Sequence, residues 1–318
     1  MPETAIKPSK QRRGVPKIVR RLLLTLVALY FVPLVGLGVF QKFLVFNASS
    51  SRARTAEYGT QTPRGAEAVR LRTDAGDTVV AYFGHALQAD GTPDTDYAKR
   101  PTLLFFTGKG SSIAPERGLF QSFRRLGLNV LMPDYVGFGQ SSGQESETNC
   151  FATARASYQF LRGRPDIDQK QLVIAGYSLG SGVAVDLAAH EISAQQPVAG
   201  LALFAAYTSM ADMGHQEYPV YPSGLLRLIL RYPFASDAKM SQVTCPVLLV
   251  HSRADKLIPY AMSDRLTALC RGPVTRVTVT HANHSEYFST RETIVFPTLK
   301  HFTENITYEN HTQNGPHA

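Results

Sequence analysis

Two serines in this chain sit in the pattern G-x-S-x-G, at Gly139-Gln140-Ser141-Ser142-Gly143 and at Gly176-Tyr177-Ser178-Leu179-Gly180. A serine hydroxyl is inert at neutral pH. To attack a carbonyl it needs a general base beside it, and the base needs an acid that fixes its tautomer and stabilises its positive form. The pattern alone is frequent by chance, so its surroundings decide between the two. The chemistry needs a buried strand that ends at the serine and a helix that starts there, so that Oγ projects from a sharp turn and helix N–H groups face the reacting carbonyl. Ser178 has both halves, QLVIAGY before it and SLGSGVAVDLAAH after it, whereas Ser141 lies in a Gly-rich loop several residues past its strand. Ser178 is the expected nucleophile; the bland alternative is a tight strand–helix turn without chemistry.

The acid and the base are expected downstream, in the chain order Ser, Asp or Glu, then His. The loop after PVLLVH reads Ser252-Arg253-Ala254-Asp255, and the loop after TRVTVT reads His281-Ala282-Asn283-His284-Ser285. Both open on the sheet edge where Ser178 emerges, which is where open α/β sheets place their sites. Asp255 is the expected acid, against the alternative of a helix N-cap. His284 is favoured over His281 as the base because it lies farther out of its strand. An oxyanion hole would combine the N–H of Leu179 with one from the loop Phe106-Thr107-Gly108-Lys109-Gly110, where the Lys109 N–H is the candidate. The alternatives there are an ordinary Gly-rich turn or a phosphate nest, and GKGSS lacks the spacing of a Walker A loop.

These residues need a scaffold to bring them together. Eight short apolar or β-branched runs are candidate strands: 69–73, 77–86, 102–106, 128–133, 171–176, 200–206, 246–251 and 275–280. Several are nearly continuous in apolar residues, as strands buried on both faces of a parallel sheet are. The first two are joined only by a turn at Asp74–Asp77 and should pair antiparallel; helical spacing separates most of the rest. The expectation is an α/β fold with a mostly parallel eight-stranded sheet and helices on both faces. The three cysteines show no CxxC spacing, which argues against a disulfide scaffold or a zinc module.

The formal charge of +8 invites a nucleic-acid reading. Seven of the basic residues, however, fall within positions 1–21 against Glu3 alone, leaving 26 basic and 24 acidic residues for everything after. A basic groove on the folded domain is not supported, and no nucleic-acid partner is expected. Residues 22–40 carry no charge in nineteen positions, close to the ~20 that cross a bilayer core, and Pro33 within them is tolerable in a membrane helix. A single transmembrane helix is expected, with a secretory signal as the main rival. Positive flanks stay inside, so the N-terminus should be cytoplasmic and the large C-terminal portion extracytoplasmic. The expected organisation is a basic N-terminus (1–21), a transmembrane helix (22–40), a linker (41–65), a main domain (66–302) and a flexible tail (303–318).

Taken in order, FTGKG (106–110), DYVGFGQSSG (134–143), GYSLGSG (176–182), HSRADKLIP (251–259) and HANHSEYF (281–288) make residues 66–302 resemble an α/β-hydrolase, and more narrowly a membrane-anchored serine hydrolase with a small cap. The resemblance implies that the last histidine of the final loop, His284, is the base. It also implies that the DYxGxGxSxG segment is structural, which accounts for Asp134 and Ser141 together. The chain departs from the family in two places: Thr107-Gly108 stands where His-Gly is usual, and Val136 where Arg is usual. Residues 209–242 would form the cap, with Leu225, Leu226, Leu228, Ile229 and Leu230 either lining an acyl pocket or packing a helix on the domain. The expected activity is hydrolysis of carboxylic esters or thioesters of lipid-like or acylated substrates. The alternatives are a peptidase or amidase using the same residues, or a non-catalytic binding protein. Nothing in the sequence calls for a metal or an organic cofactor.

Overall fold

The computed structural model describes residues 16–196, 198–289 and 294–313, with side chains as far as Ile306 in the last stretch. The chain divides into two units, Met1–Gln41 and Lys42–Ala318. In the first, residues 22–40 fall within helix α1 (Lys17–Val45), which continues beyond this unit. It is long and apolar enough to cross a membrane, with a mean hydropathy of 2.4 over its most apolar window, and so has the make-up of a membrane anchor or of a signal sequence. The basic residues from Lys7 to Arg13 lie outside the described residues.

The second unit is built on one sheet. Its strands are β1 (Glu67–Arg72), β2 (Thr78–Gly84), β3 (Thr102–Phe106), β4 (Asn129–Pro133), β5 (Leu172–Tyr177), β6 (Gly200–Phe204), β7 (Val247–Ser252) and β8 (Val274–Val279). They lie in the order β1-β2-β4-β3-β5-β6-β7-β8. β2 runs antiparallel to both neighbours, and every other pairing is parallel. The expected eight-stranded, mostly parallel sheet is therefore present, with strand ends within about two residues of the expected runs. Sequence and position agree. TLLFF, GLALF and VLLVHS, inside the sheet, are buried along their whole length, whereas EAVRLR at the β1 edge is mostly exposed and carries charge, which discourages edge-to-edge pairing.

Helices α3 (Arg117–Arg125), α4 (Glu147–Arg162), α5 (Leu179–Ser193), α9 (Tyr260–Leu269) and α10 (Val295–Gln313) alternate with these strands. α5 is apolar on nearly every face, and eleven of its fifteen residues are buried, as befits a helix laid across the sheet centre. α4 begins where Ser146 Oγ accepts a hydrogen bond from the Asn149 amide, an N-cap written in the sequence as S-E-T-N.

Two boundaries differ from expectation. The expected linker, 41–65, is not free chain: its first residues complete α1, and within its polar part Ala48–Tyr58 forms helix α2 with Ser51 and Thr55 buried. Ser51, Arg52 and Thr55 find partners in the domain's loops, while most of the helix's other side chains face solvent. The expected tail begins inside α10, where Val295, Leu299, Phe302 and Ile306 form a buried stripe at helical spacing. Residues 314–318 of that tail lie outside the described residues. Between β6 and β7, in the expected cap segment, come three short helices, α6 (Met210–Glu217), α7 (Ser223–Ile229) and α8 (Ser236–Lys239).

Candidate active site

β5 ends at Tyr177 and α5 begins at Leu179, so Ser178 alone makes the turn, with φ 53° and ψ −120°. Positive φ is costly for a residue with a Cβ and persists only where the surroundings over-determine it. Here they do. Ser178 N donates to Phe204 O (3.0 Å), and Ser181 N and Oγ both donate to Ser178 O (2.9 and 2.7 Å). Gly180 packs tightly beneath the turn: a Cβ there would stand 2.2 Å from Phe106 O, 2.7 Å from Phe106 C and 2.8 Å from Thr107 O. All three obstacles are backbone and cannot swing aside. Gly180→Ala is therefore expected to destabilise the domain by about 3 kcal/mol, although alanine in an open helix site is the better helix former. A denaturant midpoint unchanged from the parent would refute this packing.

His284 and Asp255 arrive from two other loops. His284 Nε2 lies 3.0 Å from Ser178 Oγ, and His284 Nδ1 lies 2.9 Å from Asp255 Oδ2. Asp255 Oδ1 accepts from the amides of Leu257 and Ile258, both at 2.9 Å, while Oδ2 also accepts from the Tyr287 hydroxyl at 3.2 Å. Burial pushes the Asp255 carboxyl up. The hydrogen bonds from His284 and the two amides, with the nearby imidazole, more than offset this, and the net direction is down. An ionised Asp255 only accepts, so Nδ1 carries the imidazole proton and Nε2 is left free to accept from Ser178 Oγ. His281 is exposed, and it is His284 whose ring meets the serine.

The loop after β3 reaches the same place. Gly108 abuts Ser178 so closely that a Cβ on it would lie 3.4 Å from the serine Cβ. Lys109 follows directly, and Leu179 opens α5 directly after Ser178, so the two segments expected to supply oxyanion donors flank the serine.

Three further residues were not singled out from sequence. Tyr177 donates its hydroxyl to the His284 carbonyl and stacks its ring on the imidazole, with centroids 5.3 Å apart and planes 27° apart. Tyr287 takes the Ser252 amide on its oxygen (2.7 Å) and gives its proton to Asp255. Burial raises both phenols, so both remain donors. His251, fully buried, donates Nε2–H to Ile258 O (2.9 Å) and accepts from Ser263 at Nδ1, so it holds the Asp255 loop as a neutral ring. The only sequence signal for the tyrosines was their closeness to Ser178 and His284 along the chain.

Ser141 has a different task. Its Oγ accepts from Val80 N and donates to Asp134 O, both at 2.9 Å, while Asp134 Oδ1 accepts from Ile113 N (2.8 Å). The G-x-S-x-G around Ser141 thus ties the Gly-rich loop to β2. In the segment expected to form a cap, Leu226 is buried, with its Cδ1 3.0 Å from where a Cβ on Gly214 would stand, whereas Leu228 is 83% exposed. These two leucines therefore do not act alike.

A sequence model described as the α/β-hydrolase fold matches residues 101–225. An uncharacterised protein of Mycobacterium tuberculosis is 34% identical over 214 residues, which are 67% of this chain and 73% of that protein. The chain belongs to the α/β-hydrolase family. Among solved structures, this α/β-hydrolase is similar to one from Vibrio vulnificus, with a TM-score of 0.61 and 19% identity over 84% of this chain and 92% of that one. It is also similar to the esterase Pf2001 of Pyrococcus furiosus, with a TM-score of 0.58 and 15% identity over 78% and 95%. At such identities these likenesses speak for the fold alone.

Proposed function

We propose that the chain is a membrane-anchored serine hydrolase that cleaves carboxylic ester or thioester bonds through an acyl-enzyme. The observation that carries this reading is the unbroken line from Ser178 Oγ through the His284 imidazole to Asp255, with steps of 3.0 and 2.9 Å. His284 Nε2 takes the serine proton as Oγ attacks the acyl carbonyl, and Asp255 stabilises the imidazolium that forms. The Leu179 and Lys109 amides hold the developing oxyanion, and donors placed in this way usually contribute more to the rate of acyl transfer than any other single feature. The imidazolium then gives its proton to the departing alcohol or thiol. Water, deprotonated by the same nitrogen, releases the acid and restores Ser178.

The anchor reading rests on α1, and it favours acyl substrates that meet the enzyme near a bilayer. The test is turnover by the full chain in detergent micelles of p-nitrophenyl esters of graded chain length, the matching thioesters and the matching anilides. Esters and thioesters should turn over and anilides should lag well behind. Preference for the anilides would make it an amidase, and silence toward every ester would remove the proposal.

A further inference from the structure

The segment that follows α1 is built against the loop proposed to supply an oxyanion donor. Gly110 N, one residue past Lys109, donates to Phe46 O at 3.0 Å. Gly110 itself has φ +68°, and a Cβ there would stand 3.4 Å from Asn47 Nδ2. Asn47 turns the chain from α1 into α2 with φ 49°, so the two left-handed positions face one another. Phe46 is fully buried, its ring edge-on to Tyr232 (4.8 Å) and near Phe234 (5.9 Å) from the segment between α7 and α8.

Farther along α2, Thr55 Oγ1 hydrogen-bonds Ser112 Oγ at 2.8 Å with both side chains buried. Ser51 Oγ accepts from Gly139 N at 3.0 Å, and Arg52 donates to Gly137 O at 2.6 Å. On its other side the loop is held by Tyr135, whose hydroxyl donates to Thr107 O at 2.9 Å, and by Asp134, which takes the Ile113 amide. Phe46 and Thr55 thus close a frame around residues 107–112 whose remaining members all come from the body of the domain.

From this geometry we infer that residues 46–55 are positioning residues for the proposed reaction: they fix the loop carrying the Lys109 amide against Ser178. A donor aimed at a developing oxyanion works only if it is held in place before the charge appears. Loosening the frame should therefore lower kcat and leave substrate capture largely intact. The inference rests on the serine-hydrolase reading, and the closing experiment separates the two.

The full chain would be compared with Thr55→Val, Thr55→Ser and Phe46→Leu in detergent micelles, with a p-nitrophenyl ester as substrate and a trifluoromethyl ketone as oxyanion-forming inhibitor. Thr55→Val removes the hydroxyl that bonds both Ser112 Oγ and the Ser51 carbonyl, at nearly constant volume, and is expected to cut kcat about five-fold, with inhibitor affinity falling in step. KM should move by less than about two-fold. Thr55→Ser keeps the hydroxyl and should restore kcat, and Phe46→Leu should lower it again from a different contact. If both Thr55→Val and Phe46→Leu melt lower yet turn over like the parent, or if the loss falls on KM, the segment is structural only and the inference is overturned. An inactive parent would instead sink the hydrolase reading, and the inference with it.

Discussion

Replacing Ser178 with alanine is expected to abolish ester turnover, lowering kcat by about 10⁵- to 10⁶-fold, while leaving the fold intact. The chemical half of this expectation follows from the geometry. Ser178 Oγ is the group that His284 Nε2 reaches at 3.0 Å, and nothing replaces it once it is removed. The amides of Leu179 and Lys109 would still polarise a bound carbonyl, which accounts for a small residual rate with water as the attacking group. The structural half follows from what holds the turn. Its main-chain bonds to Phe204 and Ser181 do not involve Oγ, and alanine meets the same φ of 53°. Steady-state kinetics and a melting curve together check this. Loss of the fold alongside activity, or activity within about ten-fold of the parent, would contradict it.

Asp255→Asn is expected to cost about 10⁴-fold in kcat, although the side chain keeps its size and shape. The asparagine oxygen would be claimed by the Leu257 and Ile258 amides that now bond Oδ1, leaving the NH₂ pointing at His284 Nδ1 and Tyr287. An NH₂ donates, so Nδ1 would have to accept and the imidazole proton would move to Nε2, facing Ser178. In that tautomer the ring cannot take the serine proton. Tyr287 would lose its carboxylate partner but keep the Ser252 amide, so the loop should stay in place. A drop of less than about ten-fold would mean that the acid is supplied elsewhere.

How legible this site was depended on the range of the interactions. The sheet showed through because TLLFF, QLVIAG, GLALF and PVLLVH are apolar on both faces, which only a doubly covered strand requires. Ser178 was separable from Ser141 because a strand and a helix flank only the former in sequence. Asp255 and His284 each lie a few residues beyond a strand, so topology alone brings them to Ser178. Tyr177 and Tyr287 were not legible. One occupies an unconstrained position of the motif and the other a loop, and what each hydroxyl bonds depends on where His284 and Asp255 come to rest.

Helix α2 was missed for a related reason. Its stability comes from contacts such as Thr55 with Ser112, 57 residues away, while its composition of serine, threonine and arginine reads as solvated chain. α10 carried a stripe from Val295 to Ile306 that the polar residues after Phe302 obscured. Whether Leu226 or Leu228 faces inward depended on how a seven-residue helix docks, and its sequence, SGLLRLI, is apolar on too many sides to say.

The central claim is that Ser178 is the group acylated during turnover, and covalent capture tests it most directly. The full chain, incubated with a fluorophosphonate and digested, should carry one adduct, on the peptide containing Ser178, and a slow ester substrate should protect against it. The same treatment of Ser178→Ala should leave the chain unlabelled. An adduct on any other residue, or equal labelling of the parent and Ser178→Ala, would contradict the account.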